Sequence, residues 1–161
     1  MRAEGSDEPR RLRLRGLHHL TAICRDLDAT VAFYRDTLGL ALVERGTNDD
    51  DPGTRHFWFG DATGSPGTLV SFLEYPEMAE GRTGTGTLHH FAFRVGSADE
   101  LGGWVEYLRE RDVAVTDVFE RGAFRSIYLR DPDGHIVEIA TEDPGFGPGA
   151  GRFGPDAAGG A

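Results

Sequence analysis

The chain has 161 residues, 39% of them hydrophobic, which is enough for one domain with a sizeable core. Acidic residues outnumber basic ones 27 to 17, for a formal net charge of −10, which argues against a nucleic-acid or anionic-membrane partner because both want a basic face. No stretch is apolar and long enough to span a bilayer, the opening segment Met1 to Arg15 lacks the apolar run of a secretory signal, and a single cysteine, Cys24, excludes a disulfide framework. The expected location is cytoplasmic.

Taken in chain order, residues 1–13 read as an N-terminal extension. The first strand-like run is Leu17-His18-His19-Leu20-Thr21-Ala22-Ile23. Cys24 follows it and is expected as a small residue at the rim of the core. Leu27, Val31, Tyr34 and Leu38 then make a helical stripe, with Gly39 as its C-terminal cap. Strand candidates follow at Ala41–Glu44, Arg55–Phe59 and Thr68–Tyr75, with a turn over 61–67. Asp49, Asp50 and Asp51, followed by Pro-Gly, read as loop. Glu80–Thr87, rich in glycine and threonine, is a linker.

The pattern then repeats. Leu88-His89-His90-Phe91-Ala92-Phe93-Arg94 matches the first run, and the interval from His19 to His90 equals that from Phe33 to Trp104, so the register holds through the helices. Alternation puts Phe91, Phe93 and Val95 on one face with His89, and His90, Ala92 and Arg94 on the other. Ser97 to Glu100 looks like a capping box ahead of the stripe Leu101, Trp104, Val105 and Leu108. Strand candidates are Ala114–Phe119, Phe124–Arg130 and His135–Thr141, with Asp131-Pro132-Asp133-Gly134 as a turn. Each half therefore reads β-α-β-β-β. Residues 147–161, dominated by glycine, alanine and proline, are expected to be a flexible tail. No partner can be named for His56 or His135. Two histidines in register and a carboxylate near the end of the second half, Glu138, are the donor types of a mononuclear iron centre with open positions.

The run Gly-Leu-His-His-Leu-Thr-Ala-Ile, followed by Phe-Tyr-Arg-Asp-Thr-Leu-Gly-Leu, in tandem βαβββ modules, resembles the vicinal oxygen chelate superfamily of glyoxalases, extradiol dioxygenases and bleomycin-resistance proteins. The resemblance covers residues 14–146, with module one at 14–79 and module two at 87–146. It implies an α+β fold in which the two modules form an open, barrel-like mixed sheet around a metal. The segments 48–54, 60–61 and 64–68, and then 124–138 and 143–146, look like the first and last modules of hydroquinone-type ring-cleaving dioxygenases. Those enzymes usually have four modules, so the middle two are missing from this pattern. Closure of the barrel within one chain or by exchange between two chains is left open, and either route implies a homodimer more readily than a monomer.

The resemblance implies that His19, His90 and Glu138 are the metal ligands. Aligning Gly67 with Gly134 places Ser71 opposite Glu138, so module one offers no second carboxylate, and three ligands with open positions suit a 2-His-1-carboxylate triad. Iron(II) is the expected metal, manganese(II) a substitute, and zinc(II) remains open. Around the substrate the resemblance places His18, His89, Thr21, Arg121 and Tyr128. Strict alternation would send His18 and His89 to the helix-facing side, so a rim, structural or locally irregular placement is open for them. The implied reaction is cleavage of a hydroquinone- or catechol-like ring by dioxygen. The alternatives are a glyoxalase-like isomerase or lyase, and a non-catalytic drug-binding protein of the same fold.

Overall fold

The computed structural model describes residues 13–146. The tail over 147–161 and the N-terminal extension, Arg13 apart, lie outside the described residues. Module one contains β1 (His19–Cys24), α1 (Leu27–Val31), β2 (Ala41–Thr47), β3 (Arg55–Gly60) and β4 (Leu69–Glu74). Module two contains β5 (Phe91–Val95), α2 (Ala98–Glu110), β6 (Phe119–Glu120), β7 (Arg125–Arg130) and β8 (Ile136–Thr141). The α+β class and the repeated βαβββ order are as the sequence predicts.

Each module makes its own four-stranded mixed sheet, in the orders β1-β4-β3-β2 and β5-β8-β7-β6. The first strand of each pairs parallel with the last, and the remaining pairs are antiparallel. The two sheets are not joined into one barrel. β1 and β5 are both sheet edges.

Helix α1 starts where Asp26 accepts backbone hydrogen bonds from Asp28 and Ala29. The expected stripe is buried as predicted, with Leu27 and Tyr34 fully covered. The helix itself differs from expectation, because Ala32–Thr37 is a π-helical turn. There the Leu38 amide donates to the Phe33 carbonyl, five residues back, and the Thr37 hydroxyl donates to the Ala32 carbonyl at 3.2 Å, which reinforces the wider turn. Gly39, at φ +76°, ends the helix in a conformation that costs glycine least. In α2 the Ser97 hydroxyl accepts from the Glu100 amide at 3.2 Å, and the Glu100 carboxylate accepts from the Gly96 amide at 2.8 Å, so the capping box holds one residue further out than its usual form.

A second difference lies at the edge of module two. The strand expected over Ala114–Phe119 is reduced to a bridge between Val115 and Leu129 and the two residues of β6. The Thr116 hydroxyl accepts the Tyr128 amide at 3.0 Å and donates to the Asp117 carbonyl at 2.9 Å. A side chain thus takes the place of a ladder carbonyl, and regular pairing stops.

The helix-facing sides of both sheets merge into one core that includes Tyr34, Phe59, Phe72, Leu101, Leu108, Ile127 and Val137. Cys24 belongs to this core, at 1% exposure, and not to its rim. The modules lean on one another through their helices: Tyr34 stacks towards Phe91 across the seam, and the Tyr107 hydroxyl donates to the Thr37 carbonyl at 3.0 Å. The opposite side of each sheet is open, and its edges carry exposed apolar side chains such as Leu17, Ile23 and Leu88.

Candidate metal and substrate site

The repeat is clearest in the rungs of the two sheets. Thr21, Ser71 and Trp58 lie opposite one another across β1, β4 and β3. Ala92, Glu138 and Tyr128 occupy the same rung across β5, β8 and β7. Side chains alternate along a strand, so His19 and Thr21 share the inner face of module one, and His90, Glu138 and Tyr128 share that of module two. The equivalence of Ser71 with Glu138, read from the glycine alignment, is the observed register.

Module two brings its predicted residues together. His90 Nε2 lies 2.9 Å from Glu138 Oε2, and the Glu138 side chain is 4% exposed. The Tyr128 hydroxyl donates to Glu138 Oε1 at 2.6 Å. That hydroxyl accepts from Arg121 and from Ser126, each at 3.3 Å. The Arg121 guanidinium also rests over the Phe119 ring at 4.8 Å. A buried carboxylate is costly unless it is hydrogen-bonded or paired, and here both oxygens are engaged.

Module one holds its residues differently. The His19 ring meets the Trp58 ring edge-on at 4.9 Å, and Thr21 and Ser71 share a hydroxyl–hydroxyl hydrogen bond of 2.9 Å where module two has its carboxylate. His19 and His90 line one cavity of about 550 Å³ with Leu20, Leu40, Phe91 and Trp104. Among the described residues, no three His, Cys, Asp or Glu side chains stand close enough to hold one ion. The carboxylate and one imidazole are therefore adjacent, and the second imidazole sits on the other sheet.

His18 and His89 are not buried against the helices. They are exposed and precede the regular strands, where alternation does not bind them. His18 Nδ1 lies 3.0 Å from His19 Nδ1, and His89 Nδ1 lies 2.8 Å from His90 Nδ1. Each outer histidine meets the inner one of its pair through Nδ1 of both rings.

Two further groups acquire partners only in the folded chain. The buried Asp131 carboxylate accepts from the Tyr34 hydroxyl at 2.9 Å and lies 2.8 Å from His135 Nδ1. Its other oxygen accepts from the Asp133 and His135 amides. The hydrogen bond to Asp131 raises the His135 imidazole above its ordinary range, against the opposing effect of burial. Burial, with Asp131 nearby, pushes the Tyr34 phenol far up, and burial lifts the Cys24 thiol to about 11, so neither is poised for chemistry. On β3, the His56 ring leans on Trp58 at 4.9 Å, its Nε2 is buried without a hydrogen-bond partner among the described residues, and burial lowers its imidazole. Alternation within Arg55–Phe59 already places His56 and Trp58 on one face. Their pairing with His19 needed the strand order.

The family described as Glyoxalase/Bleomycin resistance protein/Dioxygenase superfamily matches residues 16–139. The chain belongs to this superfamily. Among its superfamily relatives is "Putative ring-cleaving dioxygenase MhqA" of Bacillus subtilis, 29% identical over 86% of this chain and 44% of that protein. Another is the chlorohydroquinone/hydroquinone 1,2-dioxygenase of Sphingobium indicum, 31% identical over 81% of this chain and 41% of that one. A crystal structure described as a "putative dioxygenase" from Bacillus subtilis superposes with a TM-score of 0.73 at 33% identity, over 78% of this chain and 40% of that one. The chain spans less than half the length of these relatives.

Proposed function

We propose that this chain is an iron(II)-dependent ring-cleaving dioxygenase for a hydroquinone- or catechol-like substrate, with His19, His90 and Glu138 as the metal ligands. The observation that supports it best is the line of contacts Arg121–Tyr128–Glu138–His90–His89 on the inner face of module two. The names of the relatives support the reaction class. The donor set suits the metal: a buried carboxylate and an imidazole side by side, with a second imidazole on the same cavity.

When bound, the metal supplies the redox chemistry that lets an electron-rich ring react with dioxygen. The chain's own residues do the rest. A ligating His90 Nε2 must be free of its proton, which leaves Nδ1 as the donor to His89, so the outer histidine sets the tautomer and the ring angle. His18 does the same for His19. Tyr128 orients the Glu138 carboxylate through its hydroxyl proton, and Arg121, beside that hydroxyl, stabilises negative charge that develops on a phenolic oxygen. The open inner faces and the unpaired edges of β1 and β5 support closure of the site by a second copy of the chain.

The test is anaerobic loading with iron(II), followed by oxygen uptake with a hydroquinone and catechol panel. Uptake that matches ring opening is the expected result. Stoichiometric iron without uptake on any panel member would reject the reading, and full turnover with zinc in the absence of oxygen would select an isomerase or lyase instead.

A further inference from the structure

A second cavity, of about 330 Å³, lies at the module seam, where the end of β1 and the linker meet the starts of β5 and β8. Its charged lining is Arg25, Arg82, Arg130, Glu80, Asp133 and His135. Cations outnumber acids here, on a chain whose net charge is −10. A cleft lined by one sign of charge concentrates ligands of the other. Some of these groups are already engaged. Arg25 lies 3.9 Å from Glu80, its amide donates to Asp133 at 3.0 Å, and Arg130 donates to the Gly134 carbonyl at 2.7 Å. Arg82 makes no hydrogen bond or ion pair among the described residues. His135 is held for the same cavity. The Asp131 side chain, 1% exposed, is fixed by Tyr34 and two backbone amides, and it holds His135 Nδ1 at 2.8 Å. That bond puts a hydrogen on Nδ1, so the second proton of the imidazolium sits on Nε2. The His135 side chain is 30% exposed, and its Nε2 has no partner. That nitrogen is not closed off, because His56 Nε2 is the one buried and unpartnered side-chain nitrogen or oxygen among the described residues. The pull of Asp131 on the imidazole favours its charged form.

We propose that this cavity binds an organic carboxylate, its oxygens held by His135 Nε2–H and the Arg82 guanidinium. The choice of carboxylate among anions rests on the dioxygenase reading. Dioxygen that opens a ring between a hydroxylated carbon and its neighbour leaves one end as a carboxylate and the other as a carbonyl, with both oxygen atoms in the product. Leu88, His90 and Phe91 line both this cavity and the larger one that holds His19, so the carboxylate site adjoins a proposed metal ligand. The carboxylate is therefore either a substituent already on the substrate's ring or the one that ring opening creates.

The probe is benzoate, followed by equilibrium dialysis against the purified, metal-free chain at about pH 6, where the imidazole is charged. Saturable binding is expected, weakened about tenfold in His135→Asn and about threefold in Arg82→Gln. Arg82 has no partner to lose, so its variant reports on the site even where His135→Asn disturbs the fold. The His135 Cε1–H proton resonance, assigned by its loss in His135→Asn, should shift with the same midpoint. No saturable binding, or binding unchanged in Arg82→Gln and in a folded His135→Asn, overturns the site. Tighter binding of inorganic phosphate than of benzoate overturns the choice of ligand. Two more ligands separate the sources. If 2,5-dihydroxybenzoate binds about tenfold tighter than either benzoate or hydroquinone, one ligand spans both cavities and the carboxylate belongs to the substrate. If it gains nothing, and benzoate binds without displacing hydroquinone, the site holds the carboxylate of the opened ring. Benzoate binding that the variants weaken, without oxygen uptake on any ring, keeps the site and rejects the dioxygenase reading. Uptake without benzoate binding does the reverse.

Discussion

Glu138 is held on both oxygens, and the contact with Tyr128 carries a prediction. Tyr128→Phe removes the 2.6 Å donor and should lower kcat about 10- to 100-fold with smaller change in metal content, measured by steady-state oxygen uptake and metal analysis. Asp131 carries a different prediction. Its hydrogen bond raises the His135 pKa above the ordinary 6.5, so His135 binds its proton more tightly in the folded chain than in the unfolded one. The stabilisation is complete below about 6.5 and is lost as pH rises through the raised folded value. Urea midpoints should therefore fall across that window in the wild type, and His135→Asn should flatten the slope. Tyr34→Phe removes the other buried contact to the same carboxylate and should cost about 1–2 kcal/mol in the same measurement. The partner of His135 was illegible in the sequence because Asp131 reads simply as a turn residue, and the second group on that carboxylate, Tyr34, lies in the other module.

Elements were legible where a period ran uninterrupted. Both helical stripes and the inner strands follow from spacing alone, as does the face shared by His90, Ala92 and Arg94. The misses fall where a side chain competes with the backbone. Thr37 accompanies a π-helical turn, and Thr116 replaces a ladder carbonyl and shortens the edge strand. Capping was readable because its residues are local, and Ser97→Ala should destabilise the protein by about 1 kcal/mol in thermal or urea unfolding.

The whole molecule decides whether the candidate site is complete. In one chain His90 and Glu138 touch, and His19 lies on the neighbouring sheet. Closure between two copies has a sharp consequence. Mixed and refolded His19→Ala and Glu138→Ala chains should recover up to about a quarter of wild-type activity, because half of the sites in a mixed dimer draw both intact ligands from the correct chains. Closure within one chain gives no recovery. Light scattering on the metal-loaded protein should report a dimer in the first case.

Local spacing determined the two modules, the histidine pairs, the inner and outer faces of their strands and the equivalence of Ser71 with Glu138, because each depends on period, turn chemistry or repeat register. Only the tertiary structure decided which groups meet across strands and modules. It tied Tyr34 and His135 to one carboxylate, ranged His56 and Trp58 beside His19, and kept the two sheets apart. Those outcomes depend on strand order and on the packing of distant segments, which no local pattern encodes.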